Sequence, residues 1–108
     1  MNWEEHRKHR RVSAVVPVLA VGDLFHEKGH TLNLSRGGCV IAAAREPEKG
    51  QHLHLMLQIP NPGMPIKVQL VVVRWKAPEL FGVEFIRLSP SDQKGLQHYL
   101  HAIDCSPS

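Results

Sequence analysis

The chain has few of the residues from which a disulfide-stapled or catalytic protein is built. Its 108 residues include only two cysteines, Cys39 and Cys105, too few for a disulfide framework, so free thiols are expected. It has no P-loop, Cys-x-x-Cys, His-Glu-x-x-His or Ser/His/Asp arrangement, and Cys39 has no evident partner base. The eight histidines are therefore interpreted as structural or surface residues. We expect a protein that is not an enzyme and that holds neither a metal nor a cofactor.

The chain also has no long apolar run. Its longest stretch without a polar side chain, residues 14–21, has eight residues, whereas a membrane-spanning helix needs about twenty. The first residues contain no apolar segment of the kind that a signal peptide requires. These features predict a cytoplasmic protein that does not insert into a membrane.

Basic residues outnumber acidic ones by thirteen to ten, and the excess is concentrated near the N-terminus. Four basic residues fall within five positions: Arg7, Lys8, Arg10 and Arg11. Residues 1–11 have no periodic apolar face, so we expect them to form a flexible basic arm before one folded domain at residues 12–104. The body of the chain is nearly neutral, which argues against a DNA or RNA partner.

Most of the chain has the composition and alternation of β-strands. In the clearest segment, Leu53, Leu55 and Leu57 alternate with more polar side chains, which indicates one buried face. Lys28-Gly29 fits a turn. Six strands are predicted, at residues 12–25, 30–35, 39–43, 52–59, 66–76 and 81–88. Six strands with short connections favour an all-β core in the form of a small antiparallel barrel.

The end of the chain changes to a helical period. Ser89, then Pro90, and Asp92 three residues after the serine are typical of a helix N-terminus. Apolar residues then recur at i, i+3, i+4 and i+7: Leu96, Tyr99, Leu100 and Ile103. The pattern predicts a helix of about fourteen residues whose apolar stripe closes one side of the barrel.

Two arginines stand four residues apart in the basic arm. Arg7 and Arg11 each offer a planar fork of N–H donors that fits a phosphate and can stack on a flat ring. On a flexible arm they could clasp an anionic ligand from two sides, with Lys8 and Arg10 as auxiliary charge. Taken alone, such a cluster is more often a solvated terminus.

A second polar motif, Asn33-Leu-Ser-Arg-Gly-Gly38, follows at the end of the second predicted strand. Alternation places Asn33 and Ser35 side by side on the outer wall, with Leu32 and Leu34 on the other face. The amide can pair with the edge of a nucleobase, and the glycines allow a ligand or the backbone to approach closely. Taken alone, the motif also fits an ordinary strand end before a Gly-Gly turn.

Together the two motifs resemble the pattern of the PilZ domain family, Arg-x-x-x-Arg followed after about twenty residues by (Asp/Asn)-x-Ser-x-x-Gly. The residues that carry the resemblance are Arg7, Arg11, Asn33, Ser35 and Gly38. The flanks also fit, with Gly50 before a strand, Pro60 after it and Gly82-Val-Glu-Phe85 in the last strand. The resemblance covers about residues 5–103. It departs from the pattern at His6, where many members have arginine, and at Asn33, where aspartate is commoner.

The resemblance implies a six-stranded barrel with a C-terminal helix that binds cyclic di-GMP, a bacterial second messenger. In such domains the arginine motif engages phosphates and guanine, and the Asn-x-Ser-x-x-Gly motif holds a guanine base. The implied ligand-binding residues are Arg7, Arg11, Asn33, Ser35 and Gly38. Weaker candidates are Lys8, Arg10, Arg36 and Trp75.

Trp75 is a candidate because an exposed indole could stack on guanine. Alternation places it on the same strand face as Val71 and Val73, with Val72 on the opposite face. A tryptophan packed beneath a loop or the helix fits the sequence equally well. Arg36, inside the second motif, could reach a phosphate.

The resulting hypothesis is a stand-alone receptor whose ligand-dependent contact with an unidentified downstream protein carries the signal. One alternative is a PilZ-fold adaptor without nucleotide binding, as in type IV pilus systems. A more distant alternative is a small-barrel RNA-binding module that uses the basic arm and Trp75. The presence of both motifs argues against the adaptor, and the nearly neutral body argues against RNA binding.

Overall fold

The structure, a computed structural model, describes residues 11–60 and 65–104. Within this part of the chain it contains seven strands and one helix. They are β1 (Val12–Ser13), β2 (Pro17–Gly22), β3 (Phe25–Leu34), β4 (Gly38–Ala43), β5 (His52–Leu57), β6 (Ile66–Ala77), β7 (Leu80–Arg87) and α1 (Pro90–Asp104).

The strands form one antiparallel sheet that closes on itself. Neighbouring strands follow the order β1-β3-β2-β5-β6-β7-β4, and a further pairing of β3 with β4 closes the sheet. Strands β2 to β7 therefore make a closed six-stranded barrel, and the two-residue β1 lies beside the end of β3. The predicted all-β core, the six-stranded barrel and the C-terminal helix are confirmed.

The first predicted strand, residues 12–25, is divided among β1, β2 and the first residue of β3. β1 and β2 are separated at residues 14–16, where the side chain of Thr31 takes part in the hydrogen bonding. The Thr31 hydroxyl accepts a hydrogen bond from Val16 N at 2.9 Å and donates one to Ala14 O at 2.6 Å. This fully buried hydroxyl therefore holds residues 14–16, which separate β1 from β2, against β3.

The predicted turn at Lys28-Gly29 is wrong, because both residues lie inside β3. The chain reverses instead at Asp23 and Leu24, where Leu24 has a positive φ of 56°. Gly29 has a different role, because a side chain there would collide with the carbonyl of Ala42 on β4. A glycine inside a strand often marks such a close approach of another backbone.

The core fills the barrel with inward-pointing side chains. Regular alternation in β5 buries Leu53, Leu55 and Leu57, as the sequence predicts. Phe25 and Phe81 meet edge to face, with ring centroids 6.3 Å apart. Complete burial of one such side chain contributes about 1.5–3 kcal/mol, so this interior is the main source of stability.

The helix α1 packs on the barrel with its apolar stripe. Leu96 and Leu100 are buried, and the helix contacts β6 and β1. Its N-terminus is capped as predicted, since Asp92 N donates to Ser89 Oγ at 3.1 Å and the Ser89 hydroxyl donates to the Asp92 carboxylate at 2.8 Å. Across residues 11–60 and 65–104, no helix combines the length and the apolar character that crossing a membrane would require.

A register shift redirects the side chains at the end of β3. The shift lies between Thr31 and Asn33, and Leu32 is the residue inserted there. Leu32 is 41 % exposed, whereas Leu34 is fully buried. The prediction that these two leucines share a face is therefore wrong, because an inserted residue reverses the alternation that follows it.

The pairing of β6 with β7 contains two register shifts, one between Leu70 and Val71 and one between Val73 and Trp75. Each shift changes the face of the sheet on which the following β6 side chains lie. Val71 and Val73 both point into the core, and a shift then lies between Val73 and Trp75. Trp75 pairs with Gly82, whose neighbours on β7 point inward, so the indole lies on the outer surface. The predicted grouping of Trp75 with the two valines is wrong, since the bulge places them on opposite faces.

Candidate functional site

The short strand β1 brings the last arginine of the basic arm against the second polar motif. Val12 pairs with Leu34 and Ser13 with Asn33, which places Arg11 at the end of β3. Arg11 Nη1 donates a hydrogen bond to Asn33 Oδ1 at 3.0 Å. The structure thus joins one residue of the Arg-x-x-x-Arg motif directly to the first residue of the Asn-x-Ser-x-x-Gly motif.

Ser35 does not stand beside Asn33 on the outer wall, as alternation predicted. Its side chain is buried, and its hydroxyl accepts hydrogen bonds from Gly37 N and Gly38 N at 3.1 Å each. The hydroxyl also lies 3.2 Å from Gly38 O, to which it donates. The serine faces inward because it satisfies the backbone of the turn that follows β3, a common role of Ser before a tight turn.

Gly38 is required by the packing of this turn on β7. A side chain at Gly38 would collide with the carbonyl of Val83, and Gly37 O accepts a hydrogen bond from Phe85 N at 2.8 Å. Gly38 is itself buried, and the absence of a side chain allows its backbone to lie close to the backbone of β7. Arg36 stands at the exposed position of the same turn.

An outward-facing row crosses four neighbouring strands next to this contact. Trp75 on β6 pairs with Gly82 on β7, Gly82 pairs with Val40 on β4, and Val40 pairs with Asn33 on β3. The half-buried indole of Trp75 lies over Gly82, where any side chain would collide with the ring. We name this row, together with Arg11 beside Asn33, the front wall.

Sequence reasoning missed two features of the front wall. Arg74, the residue before Trp75, also faces outward and donates from Nε to Glu84 Oε1 at 2.6 Å. Gly82 leaves room for the Trp75 indole, because it has no side chain to collide with the ring. In the sequence, Gly82 counted only as part of the family resemblance. The outward position of Arg74 and the pairing of Gly82 with Trp75 both follow from the strand register. The register depends on bulges, which the alternation of residues in the sequence does not reveal.

Cys39 lies in β4 between Gly38 and Val40 and is fully buried. Burial raises the pKa of the Cys39 thiol to about 12, although the nearby Arg11 guanidinium acts in the opposite direction. The thiol therefore stays protonated near neutral pH. A protonated, buried thiol is a poor nucleophile.

The remaining candidates of the basic arm, Arg7, Lys8 and Arg10, lie outside the described residues, as does the rest of the predicted arm. Their roles stay predictions. Among the residues that the structure does describe, no group of three or more His, Cys, Asp or Glu side chains could hold a metal ion.

The sequence matches the family model of the PilZ domain over residues 5–102, nearly the whole chain. The chain therefore belongs to the PilZ domain family. PilZ domains are ligand-binding or adaptor modules rather than enzymes. No curated protein sequence matches the chain.

Solved structures share the fold. The Bacillus subtilis inhibitor of motility MotI/DgrA has a TM-score of 0.74 at 21 % identity, over 94 % of this chain and 53 % of that one. The PilZ domain of Escherichia coli YcgR with cyclic di-GMP has a TM-score of 0.67 at 17 % identity, over 92 % of each chain. The PilZ domain of CeSA from a cellulose-synthesizing bacterium has a TM-score of 0.69 at 11 % identity, over 88 % of this chain and 98 % of that one. This chain spans about half the length of the MotI/DgrA chain.

Proposed function

We propose that this domain is a bacterial receptor for cyclic di-GMP that binds the dinucleotide on the front wall. The observation that carries the proposal is the hydrogen bond between Arg11 and Asn33, which joins the two polar motifs at one surface. Membership of the PilZ family supports it, as does the shared fold with the YcgR PilZ domain that holds cyclic di-GMP.

The chemistry of the front wall suits this ligand, which has two phosphates and two guanines. Arg7 and Arg11 would offer bidentate N–H donors to phosphate and flat surfaces to guanine. Asn33 carries both a donor and an acceptor for a guanine edge. At the other end of the row, the Trp75 indole over Gly82 would provide a second stacking surface.

Ser35 and Gly38 act in this proposal by shaping the turn rather than by touching the base. The Ser35 hydroxyl is committed to the backbone of residues 37 and 38. Arg36, exposed on the same turn, would reach a phosphate. Lys8 and Arg10 would add charge without a specific contact.

The basic arm would carry the signal to a partner protein. Its four cations within residues 7–11 repel one another, and the arm has no apolar face with which to dock. A ligand with two phosphates would neutralise this charge and fix the arm beside Asn33. The ordered arm would then form a surface that a partner recognises, at an ordering cost of about 2–5 kcal/mol.

Calorimetric titration with cyclic di-GMP, GMP and a short RNA tests the binding. We expect saturable binding of cyclic di-GMP and no binding of GMP or the RNA. Arg11→Lys should weaken it more than tenfold, about 1.4 kcal/mol, because lysine keeps the charge but loses the planar fork. Lys8→Ala is the control and should have a much smaller effect. Absence of nucleotide binding would support the adaptor, and steeply salt-dependent RNA binding would support the RNA module.

Limited trypsin digestion tests the arm. Its cleavage sites at Arg7, Lys8 and Arg10 should be cut rapidly in the free protein and slowly with saturating cyclic di-GMP, whereas Arg11 is already hydrogen-bonded to Asn33. If the ligand binds and cleavage at these sites does not change, the signal runs through another element.

A further inference from the structure

The segment at residues 14–21 is apolar on both of its faces. The side chains that point into the barrel are Ala14, Val16, Val18 and Ala20, all of them buried. The side chains that point outward are Val15, Pro17, Leu19 and Val21. Val15 is 72 % exposed, and the four outward residues are not part of the core. Nucleotide binding on the front wall does not explain this outer strip.

The neighbouring strand β5 shows the ordinary pattern. Its leucines point inward, and His52, His54 and Met56 point outward. An antiparallel strand with one solvated face normally carries polar side chains on that face. The outer face of β2 departs from this pattern, and a continuous apolar strip on a protein surface is typical of a contact site.

Both strands beside β2 present basic or imidazole side chains along the strip. Val21 pairs with His26 of β3 and His54 of β5, and Leu19 pairs with Lys28 of β3. At the outward positions of β2, β3 and β5 that the structure describes, every ionisable side chain is a lysine or a histidine. The strip therefore has two margins of the same chemical character.

Three carboxylates lie near this surface. The Asp92 carboxylate lies beside Lys67 of β6, because it accepts a hydrogen bond from Lys67 N at 3.3 Å. The other two do not face the strip. Glu27 pairs in register with the buried Ala20, and its carboxylate accepts a hydrogen bond from Arg45 Nε at 2.9 Å. Asp23 stands at the turn beyond the end of β2. The Lys28 margin consequently keeps its positive character, whereas Asp92 partly offsets the charge of the Lys67 margin.

This surface lies on the opposite side of the barrel from the front wall. In the closed strand order, β2 and β5 stand across from β7 and β4, which carry Gly82 and Val40. A partner on the outer faces of β2 and β5 would therefore leave Gly82 and Val40 of the front wall uncovered. We name it the back wall and define it by the four outward residues of the strip with His26, Lys28, His54 and Lys67 at its margins.

We propose that the back wall is a docking site for an acidic amphipathic helix of a partner protein. From Val15 to Val21 the strip spans about 20 Å of extended chain. A helix of about 13 residues has this length. The apolar stripe of the helix would cover the strip, and its flanking Asp and Glu side chains would meet Lys28 and Lys67. The site does not depend on nucleotide binding by the front wall.

A second copy of the chain is a poor occupant for this surface. Symmetric packing of two back walls would bring the Lys28 and Lys67 margins of both copies together. The chain's own residues 1–11 carry four basic and two acidic side chains, so their charge is also of the wrong sign. Charge complementarity favours an acidic partner.

The test uses the full chain, labelled with ¹⁵N, and a designed peptide of about 15 residues with leucines on one helical face and glutamates on both sides of them. We expect amide shifts concentrated at residues 15, 16 and 18–21, Lys28 and His54, since Pro17 has no amide proton. A peptide of the same composition with scattered leucines should bind at least about tenfold more weakly, because it presents no apolar stripe.

Matched charge reversals locate the contact. Lys28→Glu should weaken peptide binding at least about fivefold, because it places like charges together at the margin. Lys49→Glu makes the same change of charge at an exposed position between β4 and β5 and should leave peptide binding nearly unchanged. Cyclic di-GMP binding, measured in parallel, should be the same in both variants as in the parent chain.

Several outcomes would overturn the proposal. They are shifts centred on Trp75 and Asn33, equal losses in the two lysine variants, or no peptide binding at all. Preference for phosphatidylglycerol vesicles or single-stranded RNA over the peptide, or a dimer through the back wall in sedimentation, would also overturn it. The front wall is tested separately with cyclic di-GMP, so failure of one site is distinguishable from failure of the other.

Discussion

The front and back walls of the barrel are built in different ways. On the back wall, β2 pairs with β3 and β5 without a register shift, so its side chains alternate regularly and form a straight strip. On the front wall, the β3–β4 and β6–β7 pairings contain shifts beside Asn33 and Trp75. Bulges re-aim side chains, so the irregular pairing lies where polar and aromatic groups converge.

The two walls should therefore respond to different kinds of change. The front wall depends on backbone approaches that only glycine permits, at Gly38 beside Val83 and at Gly82 beneath Trp75. The back wall depends on apolar area and on the charge of its margins. Changes of backbone or of buried hydrogen bonding should affect the front wall most, whereas exposed substitutions on the back wall should leave stability nearly unchanged.

Gly38→Ala should have the largest effect on stability. The added methyl group would collide with the carbonyl of Val83, a backbone atom that cannot rotate away. We expect the free energy of unfolding to fall by about 3 kcal/mol, measured by urea denaturation.

Gly95→Ala is the matched control. Its methyl group would meet Ile66 at an ordinary 3.7 Å, and alanine favours the helix. This variant should gain about 0.5–1 kcal/mol. A loss at Gly95 as large as the loss at Gly38 would contradict the role given to close backbone approach.

Thr31→Val should have the next largest effect. Valine has nearly the same shape, but it leaves the buried Val16 N and Ala14 O without the hydroxyl that joins them to β3. We expect unfolding to become easier by about 2 kcal/mol. Residues 14–16, which Thr31 holds against β3, begin three residues after Arg11. Their release should loosen the position of Arg11 beside Asn33, so cyclic di-GMP affinity should also fall.

Two further variants separate positioning from general stability. Thr31→Ser keeps the hydroxyl and should retain most of the affinity. Val68→Ala removes a buried side chain from β6 and should lower stability without weakening cyclic di-GMP binding to the folded protein. Equal losses of affinity in Thr31→Val and Val68→Ala would show that Thr31 has no specific effect on Arg11.

The sequence predicted those parts of the fold that depend on local patterns. Strand β5 follows from alternation of leucines, and α1 follows from the Ser89 cap and a helical apolar period. The inserted Leu32 has no local signature, because a bulge depends on pairing with a distant strand. For the same reason, Gly29 looked like a turn residue although it makes room for β4.

The candidate site could also be predicted only in part from the sequence. The family resemblance implied that the arginine motif and Asn33 serve one ligand. The structure places Arg11 in hydrogen-bond contact with Asn33, and their joint role in binding stays a prediction. The inward direction of Ser35 was not predictable, because it follows from the closed turn with Gly37 and Gly38 and not from strand alternation.

Ser35→Ala and Asn33→Ala should separate the fold from the binding surface. Ser35→Ala removes the hydroxyl that serves the backbone of the turn, and we expect a loss of about 1–2 kcal/mol in unfolding. Asn33→Ala should change stability little but weaken cyclic di-GMP binding by about 1–3 kcal/mol, because a guanine edge loses its partner. Denaturation and calorimetry on both variants test this division, and the same profile for both would contradict it.

Leu24→Gly should give the smallest change, and in the stabilising direction. Leu24 is fully exposed at the turn between β2 and β3, so its side chain contributes no packing, yet its φ of 56° is one that L-residues adopt at a cost. Glycine removes that strain but loses more entropy on folding, so we expect a net gain of about 0.5 kcal/mol. Asp23→Gly is the control, because Asp23 has no positive φ and glycine there should destabilise the turn. Thermal denaturation of the two variants decides the point, and equal shifts in Tm would mean that backbone strain at Leu24 is not significant.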